Sequence, residues 1–215
     1  MHAQDSAIIF DLDGTVWDSA PGIISCLAET LEVFGIDVDD RASLSSYLGP
    51  PLNTMLSMLG IADEAVDDAR VEYRRRYRDH GEFECTVYPG VEALLHRLRA
   101  ADRRLGVATS KGDEIVARML EHFGLAELFD TVHAASMTAA GHGKVDLVGA
   151  ALRELGASRG VMIGDRRYDI EGGRHHGLQT IGVSWGYADP GELEAAGADH
   201  IVANTDELAA VLSAG

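Results

Sequence analysis

Ser6-Ala7-Ile8-Ile9-Phe10-Asp11-Leu12-Asp13-Gly14-Thr15 is an apolar run that stops abruptly at two carboxylates and a Gly-Thr turn. An apolar segment this short, closed by a turn signal, predicts a strand buried on both faces. Such a strand belongs in a parallel sheet, and ligands of those sheets sit just beyond the carboxyl ends of the strands. Asp11 and Asp13 fall at that edge. Two like charges there repel unless a cation or a proton-transfer role holds them.

Beyond Thr15 the pattern turns helical. Asp18-Ser19-Ala20-Pro21 supplies capping residues and a proline for a first turn, followed by Ile23, Ile24, Leu27, Leu31 and Phe34 at helical spacing up to Gly35. Leu52, Met55, Leu56 and Leu59 mark a short helix stopped by Gly60, and residues 63–79 read as a third, heavily charged one. No convincing strand stands between Thr15 and Glu84, so this stretch reads as a helical insert. From Tyr88-Pro89-Gly90 onward, helices at 91–101, 114–123 and 144–155 alternate with strands at 104–109, 131–134, 160–164, 179–183 and 199–202. The alternation predicts an α/β fold: a doubly wound parallel sheet joined by right-handed crossovers. The expected division is an α/β core of residues 1–16 and 84–215 and a helical domain of residues 17–83.

Composition excludes several classes. The 215 residues are 46% hydrophobic and 25% charged, ordinary for a folded soluble chain. No apolar stretch approaches the ~20 residues of a membrane span, and the first ten residues lack the basic and apolar regions of a signal peptide. Cys26 and Cys85 are too few for a disulfide framework, and the expected compartment is the reducing cytoplasm. A net charge of −17 argues against nucleic acid as a partner and would repel an anionic substrate, unless a local cation or oriented amides overcome the field. Lys111 and Lys144 are the only lysines in the chain, so their placement matters.

Four polar clusters fall at strand exits or helix starts: Asp11-Leu12-Asp13-Gly14-Thr15, Thr109-Ser110-Lys111, Lys144 behind Gly141-His142-Gly143, and Gly164-Asp165-Arg166-Arg167-Tyr168-Asp169. An aspartate at a strand end is often only a helix cap, but all four in this order within one α/β pattern form a specific signature. Across essentially the whole chain this resembles the haloacid dehalogenase superfamily of phosphohydrolases. Asp11 to Thr15 matches its first motif, Thr109 its second, Lys144 its third, and Asp165 with Asp169 its fourth. Val145 stands where the family usually has proline. The insert between the first two motifs resembles the helical cap of the phosphoglycolate-phosphatase-like branch. Leu48-Gly49-Pro50-Pro51-Leu52, Val107 to Lys111, Met162 to Arg166 and Gly182 to Tyr187 look like the group called 5′-nucleotidase-like.

The resemblance implies a Rossmann-like core and a Mg²⁺-dependent phosphomonoester hydrolase of a small phosphorylated metabolite. Asp11 is then the nucleophile and Asp13 the acid and base. Asp11, the Asp13 carbonyl oxygen and Asp165 hold the metal. Thr109, Ser110 amides and Lys144 bind the phosphoryl group, and Asp169 orients Lys144 or a water. Two other readings stand beside it: a β-phosphoglucomutase-like transfer to a sugar, and a non-catalytic binding protein on the same fold. Monomer or dimer is left open, as is participation of Lys111 and His142.

Several residues have plainer expectations. Asp18 is expected to cap or hinge, and Trp17 and Tyr47 to line an interface or fill a core. His175 and His176 are expected at solvent. The Arg74-Arg75-Arg76-Arg78 run reads as a solvated face interleaved with acids, and Asp37, Asp39, Asp40, Asp63, Glu64, Asp67 and Asp68 as helix starts.

Overall fold

The structure, a computed structural model, describes residues 6–135 and 143–214. Its strands are β1 (Ser6–Phe10), β2 (Trp17–Asp18), β3 (Thr86–Val87), β4 (Arg104–Gly112), β5 (Thr131–Ala135), β6 (Arg159–Gly164), β7 (Gln179–Val183) and β8 (His200–Val202). Its helices are α1 (Ala20–Val33), α2 (Leu52–Met58), α3 (Val66–Asp79), α4 (Val91–Ala100), α5 (Asp113–His122), α6 (Lys144–Leu155), α7 (Arg167–His175), α8 (Glu192–Ala196) and α9 (Thr205–Ala214). The chain divides into two compact units, Met1–Trp17 with Val87–Gly215 and Asp18–Thr86. Among the described residues no helix is long and apolar enough to cross a membrane.

The larger unit is a doubly wound α/β domain. Six strands form one sheet in the order β5-β4-β1-β6-β7-β8, every pairing parallel. β1 lies in the middle, with Ile8 opposite Leu105 on one side and Val161 on the other. Both of its faces are covered. Ala7 and Ile9 pack with Leu147, Val148 and Ala151 of α6, while Phe10 meets Phe129 edge-on at 6.2 Å. This is why the opening run is uninterrupted rather than alternating: neither face meets water.

Strand order positions the site. The chain leaves β1, returns on one side through β4 and β5, then crosses back to the other side as β6. Connections diverge at that reversal and open a crevice at the carboxyl ends of β1, β4 and β6. β4 runs three residues beyond the expected Thr109, because its pairing with β5 jumps from Thr109–Ala134 to Gly112–Ala135. Such an irregularity re-aims the side chains it carries.

The smaller unit is helical. α1 and α2 pack on α3, whose Tyr73 and Tyr77 stack at 5.6 Å. Within the arginine run, Arg75 pairs with Glu72 and Asp79, and Arg76 with Glu72 and Glu29. Asp40 caps a helix start by accepting from the Ala42 amide, and Asp63, Glu64, Asp67 and Asp68 lie in first turns, whereas Asp37 and Asp39 precede the helix that Asp40 caps. Residues 63–79 open as a 3-10 turn, Asp63–Ala65, before α3 begins. Two short strands and the 3-10 segment Arg41–Tyr47 are additions to the sequence pattern, too brief to leave a periodic signal, and α8 and α9 near the carboxyl end are additions as well.

Candidate active site

Described residues of all four polar clusters converge on the crevice. Asp11 follows the last residue of β1, and its amide still donates to Ile163 of β6 at 2.9 Å, extending the sheet to the site's edge. Lys144, at the first turn of α6, donates to the Ala108 carbonyl at 3.0 Å. Its Nζ lies 2.9 Å from Asp11 Oδ1 and 2.7 Å from Asp169 Oδ1. Asp169 also caps α7, accepting from the Arg166 amide with its other oxygen. The capping and supporting roles thus coexist in one side chain.

Asp165 is fully buried at the exit of β6. Thr15 Oγ1 donates to its Oδ1 at 3.2 Å and the Tyr187 amide to its Oδ2 at 2.8 Å. The backbone around it is tight: a Cβ at Gly14 or at Gly186 would overlap Asp165 itself. Gly14 further needs glycine because its φ is +79°.

Asp13 lies apart from this cluster. Its carboxylate accepts from the Trp17 indole at 2.8 Å and from Lys111 Nζ at 3.1 Å on both oxygens. Thr109, buried at the end of the regular part of β4, accepts the Lys111 amide at 3.3 Å. Ser110 sits between them, half-buried.

The electrostatics call for a cation. Asp11, Asp165 and Asp169 present carboxylate oxygens within 4.8 Å of one another, all buried. Burial, then the neighbouring acids against the pull of Lys144, raises Asp11 to about 6. Burial and the charges of Asp169 and Asp11 raise Asp165 well above the usual carboxylate range. Burial alone would lower Lys144, but Asp11 and Asp169 outweigh it and hold it firmly protonated. With all three acids ionised, the one ammonium would leave two negative charges uncompensated, the charge of one divalent ion. Asp11 Oδ1 and Asp169 Oδ1 are also buried without an aligned hydrogen bond. A hard, all-oxygen donor set of this charge suits a divalent cation. Asp169 belongs to this cluster too, its Oδ1 paired with Lys144 and its Oδ2 accepting from the Arg166 amide.

Lys111, left open by its sequence context, is drawn into the site. His142 lies outside the described residues. Thr15, Trp17, Gly186 and Tyr187 contribute contacts that the motif reading did not assign; the run Gly182 to Tyr187 stood out only as a resemblance. His176, expected at solvent, is half-buried and donates from Nε2 to the Val145 carbonyl at 2.8 Å, while His175 is exposed. Asp18 accepts from the Ala20 amide at 3.0 Å, as a capping residue does.

Known proteins share this architecture. The chain is similar to tyrosine-protein kinase PtkA of Mycobacterium tuberculosis, 38% identical over 182 residues, which are 84% of this chain and 62% of that protein. It therefore spans less than two thirds of that relative's length. It is 33% identical over 208 residues to a 5′-nucleotidase of Pseudomonas aeruginosa, covering 95% of this chain and 94% of that one. A predicted phosphatase from Clostridium acetobutylicum superposes with a TM-score of 0.92 at 38% identity, over 98% of this chain and 99% of the other. The sequence model of haloacid dehalogenase-like hydrolases matches residues 8–183, and the chain belongs to that family.

Proposed function

We propose that the protein is a Mg²⁺-dependent phosphomonoester hydrolase acting on a small metabolite through an aspartyl-phosphate on Asp11. The observation that carries this reading is the separation of two carboxylates with different surroundings. Asp11 is buried against Lys144 in the cation-seeking cluster, and Asp13 stands outside it on Lys111 and Trp17.

In the first half-reaction an Asp11 oxygen bonds to phosphorus as the ester P–O bond breaks, and Asp13 gives its proton to the departing oxygen. In the second, Asp13 takes a proton from a water whose oxygen attacks phosphorus. The Asp11–phosphorus bond breaks and inorganic phosphate leaves. Lys144 holds Asp11 in place and offsets phosphoryl charge. Thr109 Oγ1 accepts the Lys111 amide, which leaves its O–H to donate to a phosphoryl oxygen alongside the Ser110 amide. Asp11, Asp165 and the Asp13 carbonyl oxygen would hold a divalent ion, which would offset the charge of the carboxylate and the phosphoryl group. The helical segment Asp18–Thr86 serves as the cap of the family pattern, and the enzyme works in the reducing cytoplasm, where the free, buried Cys26 and Cys85 stay thiols.

Nucleoside monophosphates and phosphoglycolate are the first substrates to try, given the likeness to a 5′-nucleotidase. A panel of AMP, phosphoglycolate, sugar phosphates and p-nitrophenyl phosphate tests the reading by phosphate release. Turnover with Mg²⁺, lost in EDTA and in Asp11→Asn, is the expected result. Undiminished turnover in EDTA overturns the metal role, and no turnover of any ester overturns the hydrolase reading. The 38% identity to a protein named a tyrosine-protein kinase carries a second reading, phosphoryl transfer from ATP to a tyrosine hydroxyl. Label transfer from ATP to a tyrosine peptide, abolished in Asp11→Asn, would establish it.

A further inference from the structure

The chain contains sixteen arginines for its two lysines, since Lys and Arg together number 18, and both lysines stand against site carboxylates. Lys144 faces Asp11 and Asp169. Lys111 faces Asp13, its Nζ 3.1 Å from each carboxylate oxygen, and its side chain is only 7% exposed. Lysine brings a compact ammonium on a flexible stem, a different donor from arginine's planar five-donor guanidinium.

We propose that Lys111 is a positioning residue for Asp13, holding its carboxyl group in the orientation from which the protonated form gives its proton to the departing oxygen. The inference rests on the hydrolase reading above and adds to it a residue with no part in the metal cluster. An aspartate on a strand-exit turn has two free side-chain torsions, and a general acid is useful only within hydrogen-bond reach of the proton's destination. Lys111 contacts both oxygens, which fixes the carboxylate plane. The Trp17 indole contacts Oδ1, which fixes its rotation about the plane's axis. Both holders are themselves held. Trp17 is fully buried and packs at 5.7 Å on Phe123. Lys111 is carried by the irregular end of β4 and tied through its amide to Thr109, the residue offered to the phosphoryl group. One short segment of β4 would thus register the phosphoryl group and the proton donor against each other.

The step that Lys111 serves is the transfer of the Asp13 proton to the ester oxygen as its bond to phosphorus breaks. An alkyl leaving group needs that proton; p-nitrophenolate, a weak base, does not. The parameter kcat/KM reports events only up to the first irreversible step, so it isolates this requirement from hydrolysis of the aspartyl-phosphate. Lys111→Met and Lys111→Gln are compared with the parent and with Asp13→Asn, on AMP and on p-nitrophenyl phosphate. The expected result is a fall in kcat/KM of about tenfold or more on AMP and under about threefold on p-nitrophenyl phosphate, with Asp13→Asn showing the same contrast more strongly. Thermal melts with and without Mg²⁺ should show the Mg²⁺-dependent stabilisation intact in both Lys111 variants. An equal loss on both esters, or no loss on either, overturns the positioning role. Absence of the contrast in Asp13→Asn overturns the acid role given to Asp13, a failure distinct from that of Lys111. If the parent turns over neither ester, the hydrolase reading fails and this inference with it.

Discussion

At the scale of single residues, the site depends as much on small groups as on charged ones. Asp165 is seated by the Thr15 hydroxyl and the Tyr187 amide, and Gly14 leaves the space its carboxylate fills. An alanine at position 14 meets two penalties, a left-handed backbone at φ +79° and overlap with Asp165. Each costs on the order of 1 kcal/mol or more. Gly14→Ala is therefore expected to lose about 2 kcal/mol or more of stability and most of its Mg²⁺-induced stabilisation, read by thermal melts with and without the ion. An unchanged Mg²⁺ response would show that Asp165 tolerates displacement. The type and position of the acids were legible from the sequence, because carboxylates ending a doubly buried strand have few structural uses. Their partners were not. Lys111 and Asp13 are separated by 98 positions, and Thr15 and Asp165 by 150.

At the scale of elements, helix faces and strand ends follow from periodicity, but close approach does not. α7 carries Asp169 and packs on β6 and β7. It does so through Gly173, where an added Cβ would come to 2.7 Å from both Met162 Cβ and Thr180 Cγ2. Two effects compete when alanine replaces this glycine. Helix propensity favours alanine by about 1 kcal/mol, and overpacking against strand side chains costs about 1–3 kcal/mol. The packing wins here, because one of the obstructing atoms is a Cβ anchored to the backbone of a central strand. Gly173→Ala is expected to be destabilised by about 1 kcal/mol in urea unfolding; a stabilised variant would mean that α7 can lift from the sheet at little cost. The bounds of β7 and α6 were already plain in the apolar spacing, whereas the extension of β4 to Gly112 was not. It depends on pairing with β5, a partner that local pattern does not encode.

At the scale of the whole molecule, the chain carries −17 overall and gathers three buried acids at one point. Without a cation that arrangement opposes folding. Folded Asp11 keeps its proton to about pH 6, while an unfolded chain releases it near ~4. Between those values the folded state binds more protons, so stability falls as pH rises. The contribution is fully present below ~4 and lost once pH passes about 6, and Asp165, shifted the same way, adds to it. Protein stripped with EDTA should accordingly melt at a higher temperature at pH 5 than at pH 7.5, and the gain from added Mg²⁺ should grow over the same interval. A gain independent of pH would mean that the acids do not take up the ion.

The sequence by itself determined the class of fold, the alternation of the sheet's strands with the helices that cross between them, and the residue types gathered at strand exits. Those properties are local: burial on two faces makes a run uninterrupted, and a helix shows its period within a few turns. Only the tertiary structure decided which lysine faces which aspartate, that Trp17 and Lys111 share one carboxylate, and that Asp165 is enclosed by Thr15 and Tyr187. The physical reason lies in β1, placed between β4 and β6. That order is set by packing summed over the whole sheet, and it brings together side chains that no local spacing relates.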